Sequence, residues 1–271
     1  MQIITSIDDP RIEAYRTLKE REIISSGRFI AEGEHLVKRL LASSFKTKSV
    51  FIAEKHVEEI AKIVPQDVPL YVSSHDVMNQ IIGYKFHSGI IACGLRGKKR
   101  TIDDTIRRSG KLTLMILPEI ANAENLGGLI RVAAGFGVNA IILGERSCDP
   151  FLRQSVRVSM GNIFNVPMIE SLNLAGDVVR LRDEFQVDLL ATVLDDNAID
   201  LHDLKREDRF AILLGNEAQG LPREMVELCQ KKVTIPMQLG TDSLNVAVSA
   251  GIFLFHLNRR SSGGETADER G

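Results

Sequence analysis

The strongest constraint on the fold is Leu112–Leu117 (LTLMIL), an apolar run only six residues long. A half-exposed strand alternates polar and apolar residues, so a short run of this kind reads as a strand covered on both faces. The pattern then repeats. Helix Leu126–Phe136 follows, then strand Ala140–Leu143, helix Pro150–Met160, strand Val166–Ile169 and helix Ala175–Phe185. Strands Leu189–Leu194 and Phe210–Leu214 come next, then helix Pro222–Gln230, strand Val233–Pro236 and a last apolar helix from Leu244. Such alternation predicts an α/β architecture, a parallel sheet with helices on both faces.

A smaller α/β module precedes it. Asp8–Ser25 reads as one helix, with Asp8 or Asp9 as cap, Pro10 in the first turn and Gly27 beyond its end. Strands are expected at Arg28–Ala31, Ser49–Ala53, Leu70–Ser73 and Gly89–Leu95, with helices at Glu34–Ala42, His56–Ile63 and His75–Ile82 between them. The polar stretch Gly94–Lys111 divides the modules. Its Arg96, Lys98, Lys99 and Arg100 suit phosphates, although a solvated charge run is the commoner meaning of such a cluster. The expected organisation is an N-terminal domain at 1–96, a linker at 97–110 and a larger domain at 111–260. A tail at 261–271 lacks core residues and is expected to be disordered.

Residues 1–100 hold 16 basic and 12 acidic side chains, and residues 101–271 hold 18 and 24. A mildly basic module beside an acidic one fits a first module that touches nucleic acid, though chance scatter of surface charge gives the same figures. Three scattered cysteines, Cys93, Cys148 and Cys229, show neither metal spacing nor a disulfide framework, so a cytoplasmic protein is expected. No apolar run reaches membrane-spanning length, the start has no signal-peptide pattern, and the six histidines form no ligand pair; neither membrane nor metal is expected.

Two glycine patterns fail as nucleotide fingerprints. Gly135–Ala140 has the G-x-G-x-x-A spacing but follows a helix and precedes a strand, the wrong order. Gly215–Gly220 has phosphate-loop spacing but continues Leu-Pro, without the lysine or the hydroxyl that holds magnesium.

Three other polar turns carry the chemistry, each after an expected strand. In the first, Asn122–Arg131, Gly127-Gly128 strips side chains from a helix start, and Arg131 is a charge in an apolar helix that needs a partner. An ordinary salt bridge accounts for Arg131 taken alone. In the second, Leu214–Pro222, Gly215 ends a strand, and Glu217 can pair with a cation or complement a helix dipole. The third is Ile235–Leu257, where Ser243 and Asn245 stand at the start of a helix rich in small residues (Ala247, Ser249, Ala250, Gly251). A helix cap explains Ser243 alone. Three such turns at strand ends, where open α/β sheets bind ligands, are less easily explained separately.

Together these stretches resemble a known family. N-x-G-x-x-x-R at Asn125–Arg131, L-L-G-N-E-x-x-G-L at Leu213–Leu221 and I-P-M-x-x-G-x-x-S-L-N-V at Ile235–Val246 are similar to the three signature motifs of SpoU/TrmH-type (SPOUT superfamily) RNA ribose 2′-O-methyltransferases. The similarity runs over Lys111–Arg260. Phe29–Leu41 and His87–Leu95 are similar to that family's small RNA-binding module. Asn122-Ala123 departs from the Asp-Pro the family often has there.

The resemblance implies a C-terminal deep trefoil knot, a homodimer, and S-adenosyl-L-methionine as methyl donor with no metal. By carry-over, Leu214, Gly215, Asn216, Gly220, Ile235, Met237 and Leu244 hold the donor, while Arg131, Asn125, Glu217, Ser243 and Asn245 form the catalytic set. The implied reaction is methylation of a ribose 2′-hydroxyl in RNA, most naturally ribosomal RNA, because DNA lacks that group. A transfer-RNA methyltransferase, or a non-catalytic RNA-binding or ribosome-assembly protein keeping the fold, stands as the alternative.

Overall fold

The computed structural model describes residues 1–16, 20–83, 86–195, 197–216, 219–238 and 243–258. Glu217, the turn Gly240–Asp242, Arg259, Arg260 and the tail expected to be disordered therefore lie outside the described residues.

The strands of the N-terminal part are β1 (Gln2–Ile3), β2 (Arg28–Glu32), β3 (Thr47–Ala53), β4 (Leu70–Ser73) and β5 (Ile90–Leu95). Its helices are α1 (Glu13–Arg16), α2 (Glu20–Ser25), α3 (Glu34–Leu41), α4 (Val57–Ile60) and α5 (His75–Ile82). The strands form one sheet in the order β1-β4-β3-β5-β2. β1, β4 and β3 run parallel, and β5 is antiparallel to both β3 and β2. The helix expected over Asp8–Ser25 is helical at Glu13–Arg16 and Glu20–Ser25, and residues 17–19 between them lie outside the described residues. It opens later than expected, as a 3-10 turn at Pro10–Ile12, because Asp9 accepts from the Arg11 N–H and pairs with its guanidinium. β1, only two residues long, carried no periodic signal.

The segment read as a linker is partly core. Thr101 caps α6 (Ile102–Thr105), and Ile102 and Ile106, four apart among charges, are buried with Leu112 and Leu114.

The remaining strands are β6 (Leu112–Leu117), β7 (Ala140–Leu143), β8 (Met168–Glu170), β9 (Asp188–Thr192), β10 (Ile199–Asp200), β11 (Arg209–Leu213) and β12 (Lys231–Thr234). The remaining helices are α7 (Ala123–Gly135), α8 (Arg153–Val158), α9 (Leu174–Asp183), α10 (Arg223–Leu228) and α11 (Val246–Asn258). The seven strands lie in the order β10-β12-β9-β11-β6-β7-β8, every pair parallel. β6 alternates as a two-faced strand must. Leu114 and Ile116 face α9 and α10, while Met115 and Leu117 face α7 and α11. All six of its residues are buried, which is why five of the six are apolar, Thr113 being the exception. Helices thus cover both faces, as the alternation predicts. α11 starts at Val246 instead of Leu244, and α8 is shorter than the expected Pro150–Met160.

One core crosses between the sheets. Phe29, Leu36, Val37 and Leu40 join the cluster that holds Met115, Leu129 and Phe253. At the seam the Phe29 ring lies 5.0 Å from Phe151 and 5.5 Å from Phe164. Arg153 pairs with Glu32, and the Arg39 guanidinium donates to the Met160 carbonyl. Arg96 pairs with Asp149 at 2.6 Å and with Glu170 at 3.1 Å.

Candidate functional site

α7 begins where Asn122 accepts hydrogen bonds from the N–H groups of Glu124 and Asn125, and ends at Gly135, just before the left-handed Gly137. The failed dinucleotide pattern therefore marks a helix end. Its two inner glycines permit close packing. A Cβ on Gly127 would come 2.7 Å from Val158 Cβ, and one on Gly128 would come 3.1 Å from Ala247 Cβ. α8 and α11 therefore press on α7 from two sides.

Arg131 falls between those sides. At about 100° per residue its side chain points into the furrow flanked by Gly127 and Gly128, about 9 Å along the helix from Asn125. It is exposed and makes no ion pair among the described residues. The ordinary salt bridge that would have explained it is thus not formed there, and exposure removes the need for a partner.

The first and third turns meet directly. The Asn245 side-chain amide donates to the Asn125 side-chain oxygen at 3.0 Å. Its own oxygen accepts from the Ala247 N–H at 2.9 Å, so the same side chain caps α11. At the far end Asn258 donates to the Phe136 carbonyl at 2.9 Å. The two helices are therefore tied start to start and end to end.

The second turn is a tight hairpin. Asn216 N–H donates to the Gly220 carbonyl at 3.1 Å, and Gly220 N–H returns to Asn216 at 2.8 Å. A Cβ on Gly215 would stand 2.2 Å from the Gly220 carbonyl carbon, so only glycine fits there.

This hairpin and the third turn share a cavity of about 480 Å³ at the C-terminal ends of β9, β11 and β12. Asn216, Gly220, Ile235, Met237, Ser243 and Leu244 line it. Leu214 is buried behind it, and Gly215 shapes the hairpin without lining the cavity. Arg131, Asn125 and Asn245 stand outside the cavity wall, linked to it through α11. Sequence reading missed the opposite wall, Thr192-Val193-Leu194 after β9, and Ser249 and Phe253 of α11. The rule that ligands sit beyond parallel strand ends pointed to the first group. Thr192 is fixed by donating to the Leu213 carbonyl at 2.8 Å, which ties the end of β9 to the end of β11, just before the second turn.

The described wall is apolar with scattered neutral polar groups and has no charged side chain. A neutral cavity of this size is within the roughly 300–1,000 Å³ of small-molecule sites, and it suits a flat base with a short polar chain. Thiol chemistry is not supplied: burial pushes Cys148 up to about 11 and Cys229 up to about 12. Among the described residues no cluster of His, Cys, Asp or Glu is placed to hold a metal ion.

Known proteins are similar to this chain in sequence and fold. The profile of the SpoU rRNA Methylase family matches residues 113–255, and that of the MRM3-like substrate binding domain matches residues 9–92. An uncharacterised tRNA/rRNA methyltransferase of Mycobacterium tuberculosis is 32% identical, over 96% of this chain and 92% of its own. The 23S rRNA (guanosine(2553)-2′-O)-methyltransferase of Bacillus subtilis is 26% identical, over 95% and 99%. The AdoMet-bound rRNA methyltransferase of Sinorhizobium meliloti has a TM-score of 0.81 at 27% identity, over 95% of this chain and 97% of that one.

Proposed function

We propose, from the premise that this chain belongs to the SpoU rRNA methylase family and is an RNA methyltransferase, that it methylates a ribose 2′-hydroxyl of ribosomal RNA. The observation that carries this reading is the convergence of the three turns: Asn125 bonded to Asn245, beside a neutral cavity built from the second and third. The specificity named for the Bacillus subtilis relative, which this chain matches nearly end to end, supports the 2′-oxygen and ribosomal RNA.

S-adenosylmethionine supplies an electrophilic methyl group on a sulfonium. We assign its adenosine to the cavity between Leu244, Ile235 and Met237 on one side and the Asn216–Gly220 hairpin on the other. Bound there, the donor would present its sulfonium methyl to the ribose 2′-oxygen, whose hydroxyl proton would leave to phosphate or water. Arg131 grips the neighbouring phosphate and polarises the hydroxyl, because a guanidinium does not readily give up a proton. Asn245 holds Asn125 in place to position the ribose, Glu217 orients Arg131, and Ser243 shapes the donor's end of the cavity. Most of the rate then comes from alignment and exclusion of water.

The reading includes an RNA-binding unit at residues 1–96, a catalytic unit at 111–260 and a homodimer. Val248, Ile252 and Phe255, at 51%, 37% and 61% exposure, form an apolar stripe on α11 that supports a partner copy. It also includes a trefoil knot, as membership of the family implies. We place the protein in the cytoplasm with its RNA; no helix among the described residues is long and apolar enough to cross a membrane.

The test is to map 2′-O-methyl groups in ribosomal RNA from cells with and without the gene, and to titrate the pure chain with S-adenosylmethionine. Loss of one ribose methyl mark, with saturable donor binding, is expected. Unchanged ribosomal and transfer RNA, with no donor binding, would leave only the non-catalytic reading.

A further inference from the structure

A second cavity is larger than the one at the three turns. About 830 Å³ in volume, it opens at the seam between the sheets, beside β8, the far edge strand of the parallel sheet. β8 and β9 are separated by β11, β6 and β7, so the two cavities lie about 20 Å apart across the strands.

The walls differ in kind. The smaller cavity has no charged side chain among its described residues, whereas five basic side chains and two acidic ones line the larger. The cations are Lys46 of the loop before β3 and Arg96, Lys98, Lys99 and Arg100 of the segment read as a solvated linker. Phe45, Phe151 and Phe164 form the floor. Phe45 is partly buried, with its ring 5.7 Å from each of the other two.

The charges divide into two roles. Arg96 lies over the Phe151 ring at 4.8 Å and is held by Asp149 and Glu170. Lys99 reaches Glu170 at 3.4 Å. These contacts pin the segment to the catalytic unit and neutralise the acids there. Lys46, Lys98 and Arg100 are exposed and make no ion pair among the described residues, so they are left facing solvent at the rim. Asp104 is the remaining acid of the wall.

Phe151 and Phe164 are buried, and Arg96 covers the Phe151 face, so Phe45 is the ring of this floor that stays partly open. A partly open ring beside unpaired cations suits a nucleic acid whose bases are unstacked: the phosphates meet the lysines and arginine, and an exposed base lies against Phe45. A duplex hides its base faces and gains nothing from that ring. We infer that this seam cavity binds a single-stranded segment of the substrate RNA, separate from the nucleotide being methylated. The inference rests on the reading of the chain as an RNA methyltransferase and adds where a second stretch of that RNA is held.

The test measures binding of a short unstructured RNA, and of the same sequence as a duplex, by fluorescence anisotropy. The full chain is compared with Lys98→Glu/Arg100→Glu and, separately, with Lys46→Glu. All three positions are exposed, and S-adenosylmethionine titration checks each fold. The double variant is expected to bind the single strand about tenfold more weakly, with a shallower salt dependence by about 1.4 in log–log slope for two lost phosphate contacts. Lys46→Glu is expected to weaken it in the same direction, and the wild-type chain to prefer single strand over duplex. Wild-type affinity in both charge-reversal variants, with donor binding intact, would overturn the inference alone. Equal affinity for duplex would overturn its single-strand form. A wild-type chain that binds neither donor nor RNA would end the functional reading itself.

Discussion

Asn245 and Asn125, 120 positions apart, share a side-chain hydrogen bond of 3.0 Å that closes the first turn on the third. Because Asn245 also caps α11 with its oxygen, amide orientation and helix start are fixed together.

Replacing Asn245 separates these two roles. Asn245→Ala loses both cap and donor and is expected to destabilise the chain by about 1 kcal/mol, a drop of about 2–4 °C in Tm for a chain this long. Asn245→Asp keeps the cap and loses the donor to Asn125. Its Tm should stay near wild type while methyl transfer falls at least about tenfold. Equal activity in Asn245→Asp and wild type would remove the positioning role.

Arg131 is exposed and unpaired among the described residues, so Arg131→Ala should change stability by less than about 0.5 kcal/mol. Methylation should nonetheless fall by about a hundredfold or more, with donor affinity unchanged. Arg131→Lys should not restore it, since an ammonium lacks the planar fork that grips phosphate. Single-turnover rates beside calorimetric donor titration provide the check.

The adjacent glycines of α7 should behave unequally. A methyl on Gly127 meets Val158 Cβ at 2.7 Å and the Ser155 carbonyl oxygen at 2.9 Å, and the backbone atom has little freedom to retreat. Overpacking of about 1–3 kcal/mol there should outweigh the helix-propensity gain of about 1 kcal/mol. On Gly128 the sole neighbour is the Ala247 methyl at 3.1 Å, so Gly128→Ala should be close to neutral. Urea unfolding of the two variants should place Gly127→Ala below Gly128→Ala.

The apolar stripe of α11 makes a prediction about assembly. Ile252→Glu/Phe255→Glu should convert a dimer to a monomer in light scattering, without loss of helix signal in circular dichroism. A wild-type chain that is monomeric at assay concentration would remove the dimer from the reading.

Much of the catalytic half was legible because its strands are covered on both faces. β6 is apolar but for Thr113, β7 is wholly apolar, and β11 is apolar after Arg209. The meeting of Asn125 with Asn245 was legible only through the spacing of three motifs, since nothing local in either turn names the other. Short strands were missed: β1 and β10 have two residues each, too few for any period. Ile102 and Ile106 were hidden among charges, although their spacing of four is helical. The seam escaped altogether. Phe29, Phe45, Phe151 and Phe164 come from distant parts of the chain, and a lone aromatic carries no sign of its partners. The basic cluster at Arg96–Arg100 looked like a free tether for the same reason, because Asp149 and Glu170 lie far along the chain.

The shared core and the ion pairs Arg153–Glu32 and Arg96–Asp149 join the two sheets as parts of one jig. A tethered reader could offer any nucleotide within its reach. A joined one acts as a caliper, with the span from grip to reaction point set by the body of the protein. On the proposed function, selection of one ribose among thousands then becomes a matter of length and angle as well as of sequence.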